Sequence, residues 1–152
     1  MPAVLITGMS GTGKSTALAD LAARGFRVVD TDDAGWKERE GDEWMWREDQ
    51  MAELLASEEA TTLYVSGCVP NQGRFYDRFD AVVLLSAPAE VILERTASRT
   101  TNPFGKSAWE RAQIVHDLAT VEPLLRNGAT HEIDASMPIN EVVERLIAIG
   151  RN

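Results

Sequence analysis

The sequence predicts an α/β fold in three layers: a five-stranded parallel sheet, helices on both of its faces, and a short mobile lid. Three observations carry this. Short apolar runs, such as Ala3–Thr7 and Ala81–Ser86, are continuous rather than alternating, as expected of strands buried on both faces. They alternate with segments of helical period, the order that builds parallel crossovers. A glycine-rich turn, Gly8-Met9-Ser10-Gly11-Thr12-Gly13-Lys14-Ser15, separates the first apolar run from the first helical one. The 152 residues make about one domain with room for a core. No repeat, linker or low-complexity tract divides them, so 1–152 reads as a single domain.

The elements follow in order. The first strand is Ala3–Thr7. The first helix runs from about Gly13 to Arg24, with Gly25 as its stop. The second strand is Arg27–Asp30. A polar stretch from Thr31 to Asp42 leads into a helix from about Glu43 to Glu59, and 31–59 reads as the segment that would hold a second substrate. The third strand, Thr62–Ser66, is followed by a loop from Gly67 to Gly73 and a short helix. The fourth strand, Ala81–Ser86, carries the strongest buried-strand signal. Pro88 opens a helix to about Ser98. The segment Arg99–Lys106 lacks apolar periodicity and contains Asn102-Pro103 and Gly105, so a lid is expected over about 99–107. Ser107-Ala108-Trp109-Glu110 is a capping-box pattern opening a helix that ends near Asn127-Gly128. The fifth strand is His131–Asp134, and the last helix runs from about Pro138 to Ile149 with Val142, Val143, Leu146 and Ile149 on one stripe.

Composition excludes several classes. No apolar run approaches the ~20 residues a bilayer crossing needs. The N-terminal apolar run is too short for a signal peptide and lacks a basic flank. One cysteine, Cys68, allows no internal disulfide and fits a reducing compartment. A cytoplasmic protein without a membrane partner is therefore expected. The net charge is −9, and the 15 Lys and Arg residues are scattered, which argues against a nucleic-acid partner. A nucleotide ligand needs only a few local cations and stays open, as does the oligomeric state.

Residues Gly8–Ser15 spell G-x-x-x-x-G-K-S between a strand and a helix, the context that makes this a phosphate-binding loop. Glycines let backbone N–H groups turn inward around a polyphosphate. The helix that follows points its positive end at the same anion. Gly8, Met9, Ser10, Gly11, Thr12, Gly13, Lys14, Ser15 and Thr16 are thus the expected phosphate contacts. Lys14 reaches the β- and γ-phosphates, and the Ser15 hydroxyl binds Mg²⁺. The Asn-Lys-x-Asp signature of guanine selection is missing, so ATP is preferred to GTP.

Parallel sheets bind ligands at the carboxyl ends of their strands. That edge holds Gly8–Ser15, Asp30–Asp33, Ser66–Arg74, Ala87 and Ala135–Pro138. Asp30-Thr31-Asp32-Asp33 could be an acidic turn and helix cap. Alternatively, if the first and second strands end side by side, Asp30 or Asp32 faces the γ-phosphate. There a carboxylate can hold Mg²⁺, or orient and deprotonate an acceptor hydroxyl for in-line attack. No carboxylate closes the third strand, which leaves the metal role to Ser15 and a carboxylate of this turn.

The loop Gly8–Ser15, the Asp30-Thr31-Asp32 turn after the second strand and the Arg-bearing lid together resemble the small P-loop kinases, among them shikimate, gluconate and adenylate kinases. The Asp-Thr-Asp arrangement is most similar to shikimate kinase. The resemblance implies the P-loop NTPase fold and transfer of the γ-phosphate of ATP to a small hydroxyl-bearing metabolite or a nucleotide. Carried over by position, Asp30 would serve Mg²⁺ and Asp32 the acceptor. One place departs from the pattern. Where shikimate kinases carry a Gly-Gly-Gly turn, this chain reads Ser66-Gly67-Cys68-Val69-Pro70-Asn71-Gln72-Gly73-Arg74, which leaves the acceptor open.

Arg95 and Arg99 stand four apart on the helix entering the lid, and relatives of this kind supply phosphate-binding arginines there. Arg99 is the expected catalytic arginine, Arg95 a second phosphate contact and Lys106 a weaker one; the alternative is a solvated helix surface. Arg74 and Arg47 lie where an anionic acceptor would need cations, although Arg47 could equally pair with Glu43 or Asp49. Trp44 and Trp46, two apart on the expected helix, cannot share a face. They form either core and cover or an aromatic wall for a ring-bearing acceptor. Cys68 reads as a small core residue. His116 and His131 are isolated, and no zinc cluster is seen. Asp134–Pro138 falls where relatives contact adenine. The competing class is a regulatory P-loop module that binds and slowly hydrolyses ATP without a small-molecule acceptor.

Overall fold

Three strands are apolar at nearly every position, and they take the centre of the sheet. The computed structural model describes residues 2–57, 59–98 and 107–151. Its main sheet is parallel, in the order β2 (Arg27–Asp30), β5 (Leu63–Ser66), β1 (Ala3–Thr7), β6 (Ala81–Ser86), β7 (His131–Asp134). The register sets Leu5 opposite Val65 on one side and Val82 on the other. Edge strand β7 keeps only Ile133 buried, and β2 is half-buried throughout. Both edges carry the polar residues that exposure allows.

Alternation along β1 divides the interior in two. Val4 and Ile6 face a core built with α1 (Lys14–Ala23) and α6 (Ile139–Arg151). Ala3 and Leu5 face a second core with Trp46, Met51 of α2 (Glu48–Ala56), and Phe75 of a 3₁₀ helix (Gln72–Arg78). These are the three layers expected. The α6 stripe of Val142, Val143, Leu146 and Gly150 is buried. The Tyr64 hydroxyl of β5 donates to the Leu146 carbonyl at 2.9 Å, and burial pushes its pKa up, partly offset by the charge of Arg151. Tyr64→Phe is expected to lower Tm by a few degrees. One net hydrogen bond is worth about 0.5–1.5 kcal/mol, and each kcal/mol moves Tm by about 2–4 °C at this size. An unchanged thermal melt would show that the bond adds nothing.

Two expectations need correction. The helix expected from Glu43 is in fact an antiparallel hairpin, β3 (Lys37–Glu40) and β4 (Glu43–Trp46), turning at Gly41-Asp42, and α2 starts only at Glu48. Trp44 and Trp46 are therefore strand residues. Trp46 is buried against Phe75 (centroids 6.0 Å apart), whereas Trp44 is exposed under the Arg39 guanidinium, 5.7 Å from its ring. Second, the helix expected over 107–127 is two: α4 (Ala108–Thr120) and α5 (Glu122–Gly128). Pro123 near the start of α5 cannot donate and clashes with a continuing helix. The capping box at the start of α4 forms as expected: Glu110 N–H donates to Ser107 Oγ at 3.1 Å and Ser107 N–H to Glu110 Oε1 at 3.3 Å. α3 spans Ala89–Ser98, and of the expected lid, about 99–107, all but Ser107 lies outside the described residues. No helix among the described residues is long and apolar enough to cross a membrane.

Candidate active site

The glycine-rich loop leaves β1, the central strand, and enters α1 at the carboxyl edge of the sheet. Gly8 has φ +152°, and a Cβ there would lie 2.5 Å from the Leu85 carbonyl oxygen of β6. The loop passes that close because Gly8 has no side chain. Thr12 is buried, and its Oγ1 donates to the Met9 carbonyl at 2.8 Å, tying the two arms of the loop. Gly13 caps α1 without a side-chain hydrogen bond. The orphan N–H groups of the first turn thus remain for a ligand. Lys14 Nζ crosses the loop to the carbonyls of Gly8 (2.6 Å) and Met9 (3.1 Å).

This loop forms one wall of a cavity of about 690 Å³, a size that takes a nucleotide-scale ligand. All of Gly8 to Thr16 line it. The far wall is apolar, with Ala135, Met137, Ile139 and Val142, and Arg95, Asp32, Cys68 and Asp117 complete the lining. Next to the apolar wall, the Ser136 hydroxyl and then its N–H bind Asp134, and together they hold that carboxyl below its usual range. Arg95 donates to the Ala135 carbonyl at 2.6 Å, which places its guanidinium beside this wall. Arg99 and Lys106 lie outside the described residues.

The acidic turn reaches the loop by a route the sequence does not reveal. β1 and β2 do not end side by side, because β5 lies between them. The turn leans across the end of β5 instead. Thr31 donates to the Ser66 carbonyl through both its N–H (3.0 Å) and its Oγ1 (2.8 Å). As a result Asp30 Oδ2 accepts from Ser15 Oγ at 3.3 Å, while Asp30 Oδ1 accepts from the Asp32 N–H at 3.0 Å. Asp32 Oδ1 is held by Lys37 Nζ at 2.8 Å, and its side chain is 70% exposed. Gly67 makes room for this crossing, since a Cβ there would collide with Thr31 Oγ1 and stand 3.0 Å from the Trp46 ring. Gly67→Ala is expected to lower Tm by several degrees, from about 1–3 kcal/mol of overpacking, and to weaken nucleotide binding as Asp30 is pushed from Ser15. A variant with wild-type melting and binding would mean that the turn yields without cost.

Arg47 and Arg74 are not among the cavity lining. Arg74 pairs with Glu48 at 2.6 Å. Asn71 and then Arg74 hold the Glu48 carboxyl below its usual range. Asn71 also clasps the hairpin, accepting from the Trp46 N–H and donating to the Trp46 carbonyl, both at 3.0 Å. Arg47 is half-buried, and its N–H donates to the Trp36 carbonyl at 2.8 Å. None of the tryptophans lines the cavity.

Two lining residues differ from expectation or escape it. Cys68 is exposed and faces the cavity instead of joining the core. Protein packed around the thiol still pushes its pKa up, against the pull of the Lys14 charge and of the Thr7 hydroxyl. Its place just after β5, on the ligand edge, was the available signal. Asp117 comes from the last turn of α4, where no motif marks it. Its Oδ1 accepts from Gln113 Nε2 at 2.9 Å.

Comparison with known proteins agrees with this architecture. The family model described as an AAA domain matches residues 4–116. Shikimate kinase 2 of Yersinia enterocolitica is 30% identical over 165 aligned positions, covering 96% of this chain and 94% of that protein. The crystal structure of shikimate kinase from Bacteroides thetaiotaomicron superposes with a TM-score of 0.69 at 20% identity, over 99% of both chains. A gluconokinase from Sinorhizobium meliloti superposes with a TM-score of 0.62 at 20% identity, over 99% of this chain and 91% of its own. At such identities the structural matches speak for the fold alone.

Proposed function

This chain belongs to the AAA-domain family and, within it, to the small P-loop kinases, and on that premise we propose that it moves the γ-phosphate of ATP to a hydroxyl of a small metabolite. One observation carries the reading. The Asp30 carboxylate accepts hydrogen bonds from both Ser15 Oγ and the Asp32 N–H, so the phosphate loop and the acidic turn form one continuous cluster. A module that only binds ATP has no use for a second carboxylate at the loop mouth.

The adenine lies against Ala135, Met137, Ile139 and Val142, and the phosphates lie in the loop. The first-turn amides of α1 and Lys14 bind the β- and γ-phosphate oxygens, where negative charge grows during transfer. Lys14 leaves the carbonyls of Gly8 and Met9 to do so. Asp32, paired with Lys37, orients the acceptor hydroxyl and takes its proton as the acceptor oxygen bonds to the γ-phosphorus. The bond to the bridging oxygen breaks on the opposite side, and ADP leaves. Arg95 and the lid arginine Arg99 add positive charge over the phosphates.

Ser15 and Asp30 fit Mg²⁺. They present two oxygen donors side by side, and no group of three or more His, Cys, Asp or Glu that could hold a metal occurs among the described residues. That donor set suits an ion that keeps several waters and shares phosphate oxygens. When bound, it would neutralise charge on those oxygens. The lone cysteine fits a reducing, cytoplasmic setting.

The test is acceptor-dependent ADP release across a panel of hydroxyl-bearing metabolites. The reading expects at least one acceptor to raise release well above the ATP-only rate. Tight ATP binding with no stimulation by any acceptor would contradict it.

A further inference from the structure

We propose that the acceptor is a hydroxyl compound bearing an ammonium group and no carboxylate or phosphate, and that Asp117 selects it. The inference rests on the kinase reading above and concerns the chemistry of its second substrate.

The charges around the cavity are unevenly placed. Among the described residues, its lining cations are Lys14 and Arg95. Lys14 sits on the loop carbonyls and Arg95 on the Ala135 carbonyl, both at the nucleotide side. The remaining polar lining away from the loop is Asp32, Asp117 and the Cys68 thiol. Asp32, Asp117 and Cys68 thus line the same cavity as Lys14.

The arginines that could receive an anionic acceptor are elsewhere. Arg74 is bound by Glu48 at 2.6 Å outside the cavity, and Arg47 is not part of the lining. Asp32 has Lys37 as its counter-charge. Asp117 accepts from the neutral Gln113 amide, makes no ion pair among the described residues, and is half-buried. A half-buried carboxylate without an ion-pair partner repels an anion and attracts an ammonium. An acceptor seated between Asp32 and Asp117 thus presents its reacting hydroxyl to Asp32 and its ammonium to Asp117.

Cys68, the chain's one cysteine, reports this field directly. The protein, loaded with ADP and Mg²⁺, is treated with two methanethiosulfonates of equal size, one ending in trimethylammonium and one in sulfonate. Their rates at Cys68, each divided by the rate with a free thiol, should favour the cation by about tenfold or more. Asp117→Asn should reduce that preference several-fold without changing Tm. A preference for the anion, or one indifferent to Asp117→Asn, would overturn the proposal.

A matched acceptor series supplies the second arm: gluconate, glucitol and glucosamine share a carbon number and differ in charge. The amine should be phosphorylated with a kcat/KM about tenfold above that of the carboxylate. Asp117→Asn should raise KM for the amine with little change in kcat. The opposite order would overturn this inference while leaving the kinase reading intact. Transfer to no acceptor at all would count against the kinase reading, and the Cys68 ratio would still decide the charge preference of the cavity.

Discussion

Lys14→Ala is expected to lower kcat for phosphoryl transfer by about 10²–10³-fold, the usual cost of losing one preorganised donor to a developing oxyanion. The physical reason is placement. Lys14 is the first residue of α1, where the orphan amides of the helix already point at an anion. Its ammonium lies within 2.6–3.1 Å of the loop carbonyls that frame the phosphate site. The substitution shortens a surface-accessible side chain and preserves helix propensity, so the melting temperature should stay close to wild type. Lys14→Arg should not rescue activity, because a planar guanidinium does not fit a cradle shaped for a compact ammonium. Steady-state kinetics with a melt on each variant checks both statements. Near-normal kcat in Lys14→Ala would remove Lys14 from the catalytic account.

Asp32→Asn is expected to cost about 10²–10⁴-fold in transfer, the range for a lost general base, while ATP binding persists. Three contacts make this variant clean. The turn is held by the backbone N–H of Asp32 on Asp30 and by Thr31 on Ser66, which asparagine leaves in place. The side chain is largely exposed, so the fold does not lean on it. Lys37 loses a charged partner but stays solvent-accessible. Isothermal titration with ATP and a transfer assay separate the two properties. Equal loss of both would mean that Asp32 shapes the nucleotide site instead of serving the acceptor.

The nucleotide half of this site was legible because it is local. Eight consecutive residues from Gly8 to Ser15 determine their own backbone, and the flanking Ala3–Thr7 and Lys14–Ala23 reveal strand and helix by period alone. The acceptor half was not, because its residues meet only through tertiary contacts. Asp30 and Asp32 do stand at the carboxyl end of β2, as expected. The reason given, adjacency of the first two strands, fails because β5 inserts between them, and Thr31 with Gly67 supplies the actual crossing. The hairpin of Lys37–Glu40 and Glu43–Trp46 was read as a loop and a helix start. Its strands are too short and too charged for a clear period of two, although Gly41-Asp42 between them is a hairpin signal. Trp46 then enters the core by strand alternation, which no helical reading could give. Asp117 sits about a hundred positions from the loop it faces, on a helix whose pattern says only that one side is exposed. Arg99 and Lys106 fall outside the described residues.

The most direct test of the central claim is ³¹P NMR of the protein with ATP, Mg²⁺ and, in turn, each hydroxyl-bearing acceptor of the panel, an amine-bearing polyol such as glucosamine included. Phosphoryl transfer predicts a new phosphomonoester resonance that grows in step with ADP and is lost in Asp32→Asn. Growth of inorganic phosphate alone, equal with and without every acceptor of the panel, would contradict it.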